Sequence, residues 1–219
     1  MLKMLSGRSA ELGPDLMDQL AKFRHKVFIR ELGWTLPAVD GLEVDQFDRA
    51  DTIYVVAFDR NAEIVGCGRL LPTNETYLLA AAFPGLMNGA TLPSTRDVWE
   101  LSRFAIGAPS GELMSAQESW QNTCQLMAEI VRVAQTHNAD RLIAFSVIGN
   151  ERLLRRMGVN VHRAAPPQLI DGKPTLPFWI EIDEQTCTAL KIDSQPGWLS
   201  RESPNLYGLH ARKIAEYVE

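Results

Sequence analysis

The stretches Ile53-Tyr-Val-Val-Ala-Phe58 and Glu63-Ile-Val-Gly-Cys-Gly-Arg-Leu-Leu71 flank a four-residue turn and decide the fold. Two largely apolar, β-forming runs joined by so short a turn predict an antiparallel hairpin. Further along, Val98-Trp-Glu-Leu-Ser-Arg-Phe-Ala-Ile106 predicts another strand. Helices and strands then alternate. Helices are predicted from 120 to just before Asp140, at 150–157 and at 184–191, and strands at 141–148, 159–162 and 178–182. This order indicates an α/β protein with one mixed, mostly antiparallel sheet and helices on both faces.

The region before the hairpin begins with a predicted amphipathic helix, which we expect to end near Gly33. Apolar residues recur there at steps of four, three and four, which places them on one helix face: Leu16, Leu20, Phe23 and Val27. Residues 34–51 show no apolar period, so we expect a functional or mobile segment without structure of its own. Residues 1–195 are predicted to form one domain, followed by a tail at 196–219.

Composition excludes several classes of protein. The chain has 219 residues and a net charge of −5, whereas nucleic-acid binders usually carry a basic excess. It has no apolar run of about 18 residues and no apolar leader, so we expect a cytoplasmic protein without a membrane span. The three cysteines (Cys67, Cys124 and Cys187) are far apart among apolar neighbours, and the four histidines lack ligand spacing. We therefore expect free thiols and no metal site.

Charged residues inside the apolar strands are the most informative feature. Arg69, Glu100 and Arg103 interrupt runs that are otherwise apolar, and a buried charge is costly unless it is paired or solvated. The three could form a mutual salt bridge, or they could line a site that handles a carboxylate and a proton. Residues three apart point to opposite faces of a regular strand, so Glu100 and Arg103 share a pocket only if a bulge separates them.

Arg24 and Phe28 lie four residues apart on one helix face, and Trp34, Asp45 and Asp48 follow in the polar segment. Taken singly, the tryptophan could be an apolar anchor and the aspartates solvated loop charges. Together, these residues bring aromatic faces and carboxylates to the buried arginines.

An ordered set of nine residues resembles the acyl-homoserine-lactone synthases, which make bacterial quorum-sensing signals. The set covers 80 positions of a resemblance that extends over residues 1–190, and it comprises Arg24, Phe28, Trp34, Asp45, Asp48, Arg69, Phe83, Glu100 and Arg103. The resemblance implies a fold similar to that of the N-acetyltransferases. It also implies two substrates, S-adenosylmethionine and a fatty acyl thioester on acyl-carrier protein, and no separate cofactor. The chemistry would be amide formation followed by lactone closure with loss of methylthioadenosine.

The resemblance also implies roles for these residues. Glu100 would be the base that frees the substrate amine, directly or through a water. Three arginines would bind the substrate carboxylate. Arg69 and Arg103 would be catalytic residues together with Glu100, and Arg24 would be a substrate-binding residue. Phe28 and Trp34 would cover the sulfonium or the adenine. Asp45 and Asp48 would either hold the ribose or amine, or pin their segment by pairing with an arginine.

The acyl chain would lie near Phe83, Phe104, Ala144 and Ser146. Several synthases that prefer 3-oxo acyl groups have a threonine where this chain has Ala144, and an alanine cannot donate a hydrogen bond to a 3-oxo group. We therefore expect an unsubstituted acyl chain of medium length, with octanoyl as the first candidate. Two alternatives are plain core packing for Ala144 and a hydroxyl supplied by Ser146.

Two further features of the sequence bear on the acyl donor and on its docking site. Residues 107–111 have glycines but also Pro109 and little positive charge, which is a weak cradle for the pyrophosphate of coenzyme A. A carrier protein is acidic, and the basic cluster Arg152, Arg155 and Arg156 would meet it, unless that cluster is only a solvated helix face. Two other functions stay open: an N-acyltransferase that uses acyl-coenzyme A and another amine, and a non-catalytic ligand-binding protein.

Overall fold

The computed structural model describes residues 2–108 and 114–192. Its strands are β1 (Lys3–Arg8), β2 (Ala38–Val39), β3 (Leu42–Glu43), β4 (Ile53–Phe58), β5 (Ile64–Pro72), β6 (Val98–Ile106), β7 (Arg141–Val147), β8 (Val161–Arg163), β9 (Gln168–Ile170) and β10 (Lys173–Glu181). Its helices are α1 (Ser9–Leu12), α2 (Pro14–Arg24), α3 (Leu78–Ala82), α4 (Ala116–Thr136), α5 (Ile148–Arg156) and α6 (Glu184–Ala189). A π-helical stretch, His25–Glu31, continues α2, and a short 3-10 helix, Pro84–Met87, follows α3.

The main sheet has eight strands in the order β1-β4-β5-β6-β7-β10-β8, with β9 paired to β10. All its neighbouring strands are antiparallel except β6 and β7, which are parallel and are connected through α4. The paired part of β6 and β7 is short, because it joins only residues 98–100 to residues 141–143. Among the described residues, the two strands are not paired beyond Glu100 and Ile143, and a gap opens in the sheet there.

Helices cover both faces of the sheet, as predicted. On one face α4 packs on an apolar core that includes Leu70, Leu101 and Leu142. The helix comes so close to β5 that a Cβ atom on Gly68 would lie 2.5 Å from Ile130. On the other face, Leu20 and Phe23 of α2 pack against β4 and β5. The sheet therefore separates an α4 face from an α2 face.

The segment at residues 34–51 differs from its prediction. It forms the small β2–β3 hairpin, and both Glu43 and Phe47 are buried, so the expectation of a segment without structure is wrong. Charge pairs and one aromatic anchor hold this segment, and neither produces the apolar period by which helices and strands are recognised. Strands β1 and β9 and helix α1 were not predicted, and the predicted tail at 196–219 lies outside the described residues.

The cysteines agree with the expectation of free thiols. Cys67, Cys124 and Cys187 are free thiols, and Cys67 and Cys187 are buried. Within residues 2–108 and 114–192, no group of histidine, cysteine and acidic side chains is arranged to hold a metal ion. No helix in this part of the chain is both long and apolar enough to cross a membrane.

Candidate active site

A β-bulge on β6 places Arg103 on the α2 face. Cys67 pairs with Ala105 and Arg69 pairs with Ser102, so β6 has one residue more than β5 between these pairs. Arg103 occupies the bulge with a φ of 52°, a left-handed conformation that costs roughly 1–2 kcal/mol for a residue with a side chain. The bulge that would let Glu100 and Arg103 share a pocket is therefore present, and both side chains lie on one face.

Three arginines and three carboxylates form one buried group on this face, which we call the charged cluster. Its members are Arg24, Arg69, Arg103, Glu43, Asp45 and Asp48. With all six ionised, its formal charge is zero. The carboxylates come from residues 43–51, which we call the acid loop, and the arginines come from α2, β5 and β6.

Arg24 joins the end of α2 to the acid loop. Its Nη1 and Nη2 donate to the two carboxylate oxygens of Asp48 at 2.7 and 3.0 Å, and its Nε donates to Glu43. Although burial acts against ionisation, the hydrogen bonds and charge of Arg24 hold the pKa of Asp48 well below its ordinary value. Tyr54 also donates to Asp48, and burial raises the pKa of this phenol.

Arg69 and Arg103 join the sheet to the same loop. Arg69 donates to both oxygens of Asp45, at 2.6 and 3.1 Å, and its Nε donates to Ser102 Oγ at 3.0 Å. Arg103 donates from Nη2 to Glu43 and to Asp45, both at 2.8 Å. Among the described residues, none accepts a hydrogen bond from Nη1 of Arg103.

Glu100 lies beside the charged cluster but does not belong to it. Its carboxylate accepts from the backbone amides of Leu78 at 2.8 Å and Leu79 at 2.7 Å, at the first residues of α3. Burial raises the pKa of Glu100 to about 7, although the two amides and the charges of Arg69 and Arg103 act in the opposite direction. The possible mutual salt bridge of Arg69, Glu100 and Arg103 is therefore absent, because the arginines pair with the acid loop.

Two aromatic rings cover one side of the charged cluster. Phe28 and Trp34 are stacked, with ring centroids 5.1 Å apart, and Arg103 Cζ lies 5.7 Å from the centroid of Phe28. Phe28 is buried, whereas Trp34 is exposed on its outer side. The π-helical stretch that presents Phe28 interrupts the regular helix at this point, and such interruptions are frequent at functional sites.

The residues predicted to contact the acyl chain divide between the two faces. Phe83 lies on the α2 face against Phe145, with ring centroids 5.0 Å apart. Phe104 and Ala144 pack into the apolar core of the α4 face. Ser146 follows Ala144 on the same face, and its hydroxyl accepts from Asn150 Nδ2 at 2.6 Å. Glu100 and Ala144 therefore lie near the gap between β6 and β7, but on opposite sides of the sheet.

The three arginines of α5 differ in their partners. Arg155 pairs with the buried Glu151, and Arg156 lies over the ring of Trp120, with Cζ 5.1 Å from the centroid. Arg152 is exposed and has no ion pair or hydrogen bond within the described residues. The structure does not bring these side chains to the charged cluster.

Sequence reasoning missed Glu43, Tyr54 and Ser102, which contact the arginines directly. Charge balance was the signal that could have found Glu43, because three buried arginines need three carboxylates and only two aspartates had been assigned. Tyr54 and Ser102 are ordinary strand residues by sequence, and only the pairing of β4, β5 and β6 brings them to Arg24 and Arg69.

Comparison with known proteins matches most of the chain to one family. The sequence profile of the family described as autoinducer synthase matches residues 10–190. An acyl-homoserine-lactone synthase of Ralstonia solanacearum is 47% identical over 179 residues, which cover 80% of this chain and 86% of the relative.

Comparison with solved structures points to the same family. The crystal structure of TofI, in a ternary complex with an inhibitor and MTA, is 38% identical, with a TM-score of 0.78 over 87% of this chain and 97% of TofI. BjaI, a coenzyme-A-dependent acyl-homoserine-lactone synthase solved with SAM and isopentyl-CoA, is 25% identical, with a TM-score of 0.77 over 99% of this chain and 100% of BjaI. At 16% identity and a TM-score of 0.57, over 83% of this chain and 99% of the other, a putative N-acetyltransferase from Lactobacillus plantarum shares the fold alone.

Proposed function

Because this chain belongs to the autoinducer synthases, an acyltransferase family whose members are acyl-homoserine-lactone synthases, we propose that it acylates S-adenosylmethionine with a fatty acyl group from acyl-carrier protein. The observation that supports this most directly is the position of Glu100. Whereas the carboxylates of the charged cluster pair with arginines, the carboxylate of Glu100 accepts from two backbone amides, and its pKa is raised to about 7.

In the first step the amine of S-adenosylmethionine gives a proton to Glu100. An α-amino group has a pKa of about 8, so a carboxylate with a pKa near 7 is a well-matched base, directly or through a water. The neutral amine attacks the thioester carbonyl, and the carbon–sulfur bond breaks. Glu100 gives the proton that it holds to the departing thiolate, then takes the second proton from the acylated nitrogen and releases it to solvent. Atoms and charge balance without any cofactor.

In the second step the substrate carboxylate attacks the carbon next to the sulfonium. The lactone closes and methylthioadenosine leaves as a neutral thioether. This step needs positioning more than acid or base, because both reacting groups belong to one molecule. Nη1 of Arg103 is suited to orient the carboxylate, since Arg103 is already aligned by Glu43 and Asp45.

The remaining substrate contacts follow from the same geometry. Arg24 and Arg69 are committed to carboxylates, which favours a role in holding the acid loop over direct binding of substrate. This pairing also favours the pinning role for Asp45 and Asp48. The stacked Phe28 and Trp34 offer an aromatic face to the sulfonium, worth about 0.5–2 kcal/mol.

The gap between β6 and β7 is a suitable passage for the thioester. Beyond Glu100 and Ile143, the facing backbone edges have amide and carbonyl groups that a flexible amide-containing arm can bind. The acyl chain would continue toward Ala144 and the apolar α4 face, where burial stabilises it by about 0.8 kcal/mol per methylene. An unsubstituted, medium-length chain such as octanoyl is the donor that we propose.

Acyl-coenzyme A is the second candidate donor, because BjaI is a coenzyme-A-dependent synthase. The exposed Arg152 and the nearby Arg156 favour a carrier protein, whose acidic surface they would attract. Both donors would be found in the cytoplasm, the location that we propose for this protein.

The test is to measure methylthioadenosine release from S-adenosylmethionine with octanoyl-carrier protein and with octanoyl-coenzyme A, followed by mass spectrometry of the lactone. We expect a higher kcat/KM with the carrier protein. Arg152→Glu should raise the KM for the carrier protein and leave the KM values for S-adenosylmethionine and acyl-coenzyme A unchanged. A higher kcat/KM with coenzyme A would assign the donor to that class instead.

A further inference from the structure

Arg49 connects the acid loop to the segment before α3. Its Nη1 donates to the backbone carbonyl of Thr76 at 2.9 Å, and its Nη2 lies 3.3 Å from Oε2 of Glu75. Its Nε donates to Asp51 at 3.2 Å, which orients the guanidinium from within its own loop. The side chain is partly exposed, so its ion pairs contribute little to the stability of the fold.

Both ends of this connection lead to the candidate active site. On one side, the acid loop holds Asp45 and Asp48 against Arg69. On the other side, Thr76 precedes the first turn of α3, and the amides of Leu78 and Leu79 hold the carboxylate of Glu100. A single side chain therefore links the charged cluster to the anchor of the proposed base.

We propose that Arg49 is a positioning residue that keeps the Leu78 and Leu79 amides aligned on Glu100. Phe47, Tyr77 and Leu79 belong to one apolar cluster, which sets the distance between the two segments. Apolar contact is not directional, whereas a charge-assisted hydrogen bond to the Thr76 carbonyl fixes the orientation of the chain. This inference rests on the proposed function, in which Glu100 is the base.

The electrostatic consequence has a definite sign. The groups that face Glu100 are the Leu78 and Leu79 amides, the guanidinium groups of Arg69 and Arg103, and Tyr77. Amides that donate to a carboxylate favour its charged form. When the amides are less well aligned, the pKa of Glu100 rises, and the enzyme needs a higher pH to reach full activity.

The experiment compares Arg49→Ala with Arg60→Ala, which removes an exposed arginine from the turn between β4 and β5. Steady-state kinetics of methylthioadenosine release are measured across pH, with S-adenosylmethionine and octanoyl-carrier protein or octanoyl-coenzyme A.

For Arg49→Ala we expect kcat to fall about 3–10-fold, the acid limb of the profile to move up by about half a pH unit, and the KM for S-adenosylmethionine to change less than about twofold. Arg49→Lys should give an intermediate kcat, because an ammonium lacks the planar fork. Arg60→Ala should leave all three quantities unchanged.

Hydrogen exchange tests the positioning role without any substrate. In Arg49→Ala the Leu78 and Leu79 amides should exchange faster than in the wild type, while amides in α4 keep their rates. If the wild type releases no methylthioadenosine, the proposed function fails, but the exchange result still stands. Wild-type exchange at Leu78 and Leu79 together with an unmoved acid limb would overturn the positioning role.

A double variant separates action through Glu100 from a general effect. When Glu100→Gln is already present, Arg49→Ala should cause no further loss of kcat, because the group that Arg49 positions has gone. Losses that multiply in the double variant would contradict the inference.

Discussion

The two faces of β5 and β6 use the same strands for opposite purposes. On the α2 face, Arg69 and Arg103 make directed hydrogen bonds to the acid loop, and each donor has a particular acceptor. On the α4 face, the adjacent Leu70 and Leu101 make apolar contacts that depend on volume rather than on direction. A substitution on the α2 face therefore removes a charge and leaves its partner unpaired. A substitution at the neighbouring residue on the α4 face removes only packed volume.

The largest effect that we predict is on catalysis at the charged face. Glu100→Gln keeps the shape of the side chain and one acceptor for the α3 amides, but it removes the base. Turnover should fall by about 10²–10⁴-fold while the protein stays folded. Methylthioadenosine release is the measurement, and Glu129→Gln, an equivalent change on α4, is the matched control. A variant of Glu100 with near-normal turnover would remove it from the mechanism.

A change in the charged cluster itself should act on stability. Glu43→Gln leaves Arg24 and Arg103 buried with one carboxylate too few, and a broken buried ion pair costs about 3–5 kcal/mol. Urea unfolding measures the loss. Leu126→Ala, a fully buried position on the α4 face, should cost a similar amount, about 2–5 kcal/mol, but should leave the turnover of the folded enzyme unchanged. If Glu43→Gln has the same free energy of unfolding as the wild type, the charged cluster does not depend on paired partners as we describe.

The dependence of the free energy of unfolding on pH should show that the folded protein disfavours the ionised form of Glu100. Its pKa is raised in the folded protein to about 7, above the ordinary value of 4.5, so folding favours its protonated form. The stability that it contributes is therefore complete below pH 4.5 and is lost as the pH rises through 7, by up to about 3 kcal/mol. Urea unfolding between pH 5 and pH 8 should show this loss in the wild type and a flatter curve in Glu100→Gln. Identical slopes would mean that the carboxylate is stabilised as well in the folded chain as in water.

The smallest predicted effect is on the apolar face. Ala144→Thr adds a hydroxyl beside the gap, which can donate to a 3-oxo group that would otherwise be buried without a partner at a cost of about 1–3 kcal/mol. Competition between acyl and 3-oxoacyl carrier proteins of equal length should then shift toward the 3-oxo donor by about tenfold. If the wild type already accepts both equally, another group, such as the hydroxyl of Ser146, satisfies the carbonyl.

Prediction from sequence succeeded where a residue and its neighbours in the chain decide the structure. The apolar runs give β4 and β6 their correct bounds, and the three-residue spacing of Glu100 and Arg103 allows a shared pocket only with a bulge, which the structure contains. Prediction from sequence failed where the residues that contact each other come from distant segments of the chain. The acid loop lacks a period, and Glu43 has no local feature that distinguishes it from a solvated acid until Arg24 and Arg103 are placed next to it. Long-range charge pairing is invisible to patterns that depend on periodicity.

The short contact between β6 and β7 also bears on how the molecule assembles. One half of the sheet comprises β1, β4, β5 and β6, and the other comprises β7, β8, β9 and β10. Strands pair closely within each half, whereas β6 and β7, which join the halves, pair at only three positions in the described part of the chain. Proteins open and close in cooperative units, and a junction with few hydrogen bonds divides such units. Each half would therefore form early from its own hairpins, and the joining of the halves, with α4 laid across them, would be the late event in folding.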